Sequence, residues 1–69
     1  MLSLSIDLEQ EEDGRWIAEV MQLPGVMVYG LTPEDAVRKA KSLALQVLAE
    51  QVASAELQQL DAITFISAA

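Results

Sequence analysis

The sequence predicts an α+β fold in the order strand, strand, strand, helix, strand (βββαβ). Three strands form an antiparallel meander, one further strand follows the helix, and the helix packs on one sheet face. Three observations predict it. Residues 2–10 alternate strictly between apolar and polar side chains. Turn signals at Asp13-Gly14 and Leu23-Pro24-Gly25 cut the next stretch into short strands. Thr32-Pro33-Glu34-Asp35 then opens a segment whose apolar residues recur at helical spacing.

Each element has a local reason. Leu2, Leu4, Ile6 and Leu8 point one way and Ser3, Ser5, Asp7 and Glu9 the other, the period of two that marks a half-buried strand. Asp13-Gly14 closes a hairpin, because Gly supplies the positive φ of a tight turn. In the second strand Trp16, Ala18 and Val20 alternate with Ile17, Glu19 and Met21, and the large body of Trp16 is expected to anchor the core. Pro24 lacks a ladder donor and Gly25 opens a turn, so the strand stops there. Val26 to Tyr29 form a short third strand, apolar on both faces and therefore expected to be central or covered by a partner. Gly30 ends it.

Thr32 is a suitable N-cap, Pro33 fits the first helical position, and Glu34 and Asp35 suit the positive end of the helix dipole. Asp35 lies three residues after Thr32, a capping box with the shorter acid. Ala36, Ala40, Leu43 and Val47 recur at helical spacing, widened by Val37, Ala44 and Leu48, and place the helix over Pro33 to about Gln51. Ser54 to Asp61 read as a frayed end and a connection. Ala62 to Ser67 form the last strand, with Ile63, Phe65 and Ile66 as its packing residues.

Composition narrows the function. A chain of 69 residues makes one domain, 1–69, too small to be stable without good packing or association. With no Cys and no His, it lacks disulfides, thiolate ligands and the commonest general base and metal ligand. Its net charge of −7 repels phosphate backbones, so direct nucleic-acid binding is not expected and a basic protein is the natural complement. No apolar run approaches a membrane span and the start lacks a signal peptide, which predicts a cytoplasmic protein with no membrane role.

No residue stands out for chemistry. The serines have no His to activate them, and no Gly-rich phosphate loop is present. Neither a cofactor nor a metal site is expected. Arg38, Lys39 and Lys41 form a small basic segment expected to pair with Glu34 and Asp35. The far side of the helix carries Leu45, Ala49 and Val52, a second apolar patch expected, with Phe65, to form the interface of a homodimer or higher oligomer.

The ordered set of motifs resembles the HicB-like antitoxin family of bacterial toxin–antitoxin systems. The residues that carry the resemblance are Glu12-Asp13-Gly14, Trp16-Ile17-Ala18-Glu19-Val20, Leu23-Pro24-Gly25, Gly30 and Thr32-Pro33-Glu34-Asp35-Ala36, spanning roughly residues 4–50. Met21-Gln22 and Leu31 depart from residues frequent in that family. The resemblance implies a trimmed ribonuclease-H-like core, catalytically degraded, that neutralises a small basic mRNA-cleaving toxin by masking its active surface. The contacts it implies lie on the outer sheet face and the acidic hairpin, at Glu9, Glu11, Glu12, Asp13 and Glu19. Many members add a helix-turn-helix or ribbon-helix-helix domain; nothing of that kind follows the last strand here, so operator binding is not expected.

Two other functions stay open at the level of sequence. One is a stand-alone oligomeric structural or adaptor domain with no toxin partner. The other is a residual metal-dependent nuclease that uses Asp7, Glu9 and Glu19, although a solvated polar face is the simpler account of those three carboxylates.

Overall fold

The computed structural model describes residues 1–67. β1 (Leu2–Gln10), β2 (Trp16–Val20), β3 (Met27–Gly30), α1 (Pro33–Ala53) and β4 (Ile63–Ser67) follow one another, an α+β fold. The strands form one sheet in the order β3-β2-β1-β4. β1 pairs antiparallel with β2, and β2 with β3, as their short connections require. β4 instead lies parallel to β1, with Leu2 opposite Ile63 and Leu4 opposite Phe65. The sheet is therefore mixed, and the antiparallel meander extends only over the first three strands. Because β3 and β4 run in the same direction at opposite edges, α1 must carry the chain back across the sheet between them.

The expected turns form as their residues dictate. Gly14 has φ +92° and donates its N–H to the Glu11 carbonyl, while Glu11 N–H reaches the Arg15 carbonyl at 2.7 Å, a three-residue hairpin loop. Gly25 has φ +88° in the turn between β2 and β3. There Val20 donates to Val26, and Val26 donates to Leu23. Leu23 and Val26 are both buried, so this loop contributes side chains to the core. The Gln22 side chain fills the ladder position beyond β2: its Oε1 accepts the Ser5 N–H at 2.8 Å, while the Met21 N–H reaches the Ser5 carbonyl.

Three expectations are corrected by the register. β3 is an edge strand, which excludes the central position and leaves cover by a partner as the other expectation: Val28 packs inward, but Met27 and Tyr29 are about half exposed on the opposite face. Trp16 is half-buried at the rim, and the core is built on Leu4, Ile6, Ala18, Val20, Leu23 and Val26. In β4, Ile63 and Phe65 pack inward while Ile66 is 55% exposed, because adjacent residues of a strand face opposite ways.

The helix start matches its sequence signals in all but one contact. Thr32 is the N-cap, and its Oγ1 accepts the Asp35 N–H at 3.0 Å. The Asp35 carboxylate reaches back to the Leu31 N–H rather than to that of Thr32, at 3.4 Å. At the far end Ser54 caps the helix and Ala55 adopts φ +63°, the left-handed region that favours glycine.

One face of α1 lies on the sheet through Ala36, Ala40, Ala44 and Leu48, all buried. Three small residues at four-residue spacing let the helix approach closely. The tightest point is Gly30. A methyl group there would sit 2.8 Å from the Ala36 Cα and closer still to the Ala36 backbone nitrogen, and backbone cannot yield as a flexible side chain can.

Two stability measurements check this account. Gly30→Ala is expected to lower unfolding free energy by about 1–3 kcal/mol in urea titration, through overpacking rather than backbone strain. Ala55→Gly is expected to raise it by about 0.5–1 kcal/mol, by relieving the left-handed conformation at the helix end.

Candidate functional site

With α1 covering one face of the sheet, no element covers the other among the described residues. The pairing register lays out that open face in rows. Asp7 stands opposite Glu19, which stands opposite Met27. Glu9 stands opposite Ile17, which stands opposite Tyr29. Asp7, Glu9, Glu19, Ile17 and Met27, together with Leu8 and Glu11, line a shallow depression of about 340 Å³. Its apolar part is Leu8, Ile17 and Met27, and Tyr29 stands outside it.

The electrostatics of this face are unusual for a folded surface. Asp7 and Glu19 are directly opposite in an antiparallel pair, an arrangement that costs stability when the charges are alike. Among the described residues no ion pair involves Asp7, Glu9 or Glu19. Opposite charges across a strand pair stabilise a sheet and like charges weaken it, and departures from such local rules are found at functional or strained sites.

The expected contact residues separate into two groups. Glu9, Glu11 and Glu19 come together around the depression. Glu12 and Asp13 stand apart in the hairpin loop, exposed to solvent. Asp13 is occupied locally: its carboxylate accepts the Arg15 N–H at 3.0 Å and the Arg15 Nε at 2.7 Å, and these hydrogen bonds hold its pKa below the usual carboxylate value. Asp7, which the sequence reading associates only with a metal site, is a full member of the face. Its position in the β1 alternation was the signal for that.

The apolar members of the face escaped the sequence reading. Met27 and Tyr29 are 52% and 41% exposed, because the register puts them on the face that α1 does not cover. The Arg15 guanidinium stacks 4.3 Å from the Tyr29 ring centroid, and the Tyr29 hydroxyl points at Glu11 Oε1 at 3.4 Å. This cluster fixes the rim of the depression nearest the hairpin.

The described residues contain no group of three carboxylates close enough together to hold a metal ion. No helix is long and apolar enough to cross a membrane. The basic segment of α1 is used internally: Arg38 pairs with Asp35 at 2.6 Å and Lys39 pairs with it at 3.2 Å, which holds the Asp35 carboxyl below its ordinary range. Lys41 stands 5.7 Å from the centroid of Phe65.

The expected oligomer residues also separate. Leu45, Ala49 and Val52 are exposed on the flank of α1, whereas Phe65 is half-buried and packs on the core. No family model matches the chain, and neither any curated protein nor any solved structure matches it significantly.

A charge measurement checks the electrostatic account. Glu19→Gln removes the like-charge pair and is expected to raise stability by a few tenths of a kcal/mol at low salt, an increment that shrinks as salt is added.

Proposed function

We propose that this chain is an antitoxin-like binding protein, in which the open sheet face masks the active surface of a small basic mRNA-cleaving toxin. The observation that carries the reading is the set of unneutralised carboxylates, Asp7, Glu9 and Glu19, around an apolar-floored depression that nothing in the described chain covers. A cationic protein surface relieves the Asp7–Glu19 repulsion on binding, a small favourable increment between two exposed groups. Ile17, Met27 and Tyr29 supply the apolar contact that such an interface needs at its centre.

The sequence resemblance to HicB-like antitoxins supports the same reading, through Trp16 to Val20, Leu23-Pro24-Gly25 and Thr32 to Ala36. Action would be steric and electrostatic, with no chemical step. Glu12 and Asp13 lie at the near end of the face, where the hairpin loop extends the acidic surface.

The test is co-expression with the product of the neighbouring reading frame, which the proposal requires to be a small basic protein that is toxic alone. The chain is expected to relieve that protein's toxicity and to co-purify with it in a salt-sensitive complex. The D7N/E9Q/E19Q variant, which leaves the core unchanged, is expected to weaken binding at least tenfold, about 1.4 kcal/mol. Toxicity left unrelieved by the unmodified chain sinks the proposal.

A further inference from the structure

The two edges of the sheet are not alike. β4 pairs only with residues 2–6 of β1, so the open face beside it holds Ser3, Ser5, Thr64 and Ile66. The carboxylates begin at Asp7, beyond the end of β4. In a chain of net charge −7 this corner is uncharged. β3, at the other edge, is one residue shorter and borders Glu19.

β4 also lacks every device that normally blocks an exposed edge. Its sequence, Ile-Thr-Phe-Ile-Ser, has no charge and no proline, and its register with β1 runs without a bulge. Leu2 donates its N–H to the Ala62 carbonyl. The parallel alternation then turns the N–H groups of Thr64 and Ile66 toward β1 and those of Ile63 and Phe65 outward. No strand lies beyond β4 among the described residues.

We infer that the outer edge of β4 pairs antiparallel with β4 of a second copy of this chain, about a two-fold axis at Phe65. Phe65 exchanges both backbone hydrogen bonds with its counterpart, and Thr64 stands opposite Ile66 of the other copy. The result is one continuous sheet of eight strands with both helices on one side and both acidic faces on the other.

A second copy fits this edge for two reasons. The backbone pattern of an antiparallel pair is self-complementary about a two-fold axis. Electrostatics point the same way: two acidic chains repel least through their uncharged corner. A groove of about 690 Å³ runs from α1 to Ser67 at the end of β4. There Arg38, already paired with Asp35, and Lys41 stand with Glu34, so this side carries no acidic excess like that of the open face beyond Asp7. The exposed Ile66 and Leu45, at 55% and 47%, add apolar surface on the two sides of the sheet near this edge. The inference stands independently of the proposed toxin, because it uses neither the depression nor its carboxylates.

Analytical ultracentrifugation of the purified chain tests it. The expected mass is twice that of the 7.5 kDa chain. T64K/I66K changes two exposed side chains and sets lysine opposite lysine twice across the axis. It is expected to give monomers with unchanged far-ultraviolet circular dichroism. T64K/I66E sets opposite charges at the same two places and is expected to restore the dimer. An unmodified chain that remains monomeric at high concentration overturns the inference. So does a dimer that persists in T64K/I66K, or a T64K/I66E variant that stays monomeric.

Discussion

The close approach of α1 to the sheet at Gly30 is the constraint on which the rest of this structure depends. The core is small, and four of the ten buried side chains among the described residues come from one stripe of the helix, three of them alanines. Alanine buries little area, so the stripe stabilises only if the helix lies low enough for the larger side chains of β1 and β2 to fill the space. Gly30 sets that height. A side chain there would lift the first turn of α1, and the Thr32 cap and Asp35 contacts that follow would lift with it. The core that Leu4, Ile6 and Val20 share with Ala40 and Ala44 would then open.

Seating the helix on one face leaves the other face bare, and the distribution of charge follows. The N-terminal half of β1 turns Ser3 and Ser5 outward, and the C-terminal half turns Asp7 and Glu9 outward. β4 can pair with the first half without meeting a charge. The hairpin that extends the second half collects Glu11, Glu12 and Asp13. One strand therefore divides the open side into an uncharged corner and an acidic depression, and each part favours a different kind of contact.

Much of this was legible in the sequence, because it depends on neighbours in the chain. The alternation of β1, the Asp13-Gly14 turn, the Thr32 cap and the helical stripe are local signals, and the structure places them within a residue or two. Asp7, Glu9 and Glu19 could be assigned to one side of a hairpin from the period of two, whereas Glu11 reads only as part of the acidic turn. What escaped depends on partners distant in sequence. An apolar run such as Met27-Val28-Tyr29 reads the same at an edge as in the centre, so the exposure of Met27 and Tyr29 was invisible. The parallel pairing of β4 spans the whole chain, and nothing in Ile63 to Ser67 specifies its direction. Gln22 reads as a loop residue until its amide is seen to complete the ladder at Ser5. Gly30 reads as a strand end, and its packing role appears only when Ala36 is placed above it.

The unfinished features of this domain share a physical character. A chain of this size leaves a large fraction of its surface in water, and its stability margin is narrow. It nevertheless keeps a like-charge pair across β1 and β2, a left-handed alanine at Ala55 and an uncharged edge strand. The alanine is a local cost whose return is the helix end itself: Ala55 N–H reaches the Val52 carbonyl, Leu57 N–H reaches that of Gln51, and Leu57 packs on the core. The other two differ, because each is a cost only while the chain is alone: a cationic surface removes the repulsion between Asp7 and Glu19, and a second strand satisfies the outward N–H groups of Ile63 and Phe65. They lie on different parts of the sheet and would be relieved by different partners. Both can therefore be relieved in one assembly, with the paired strands presenting two acidic faces side by side.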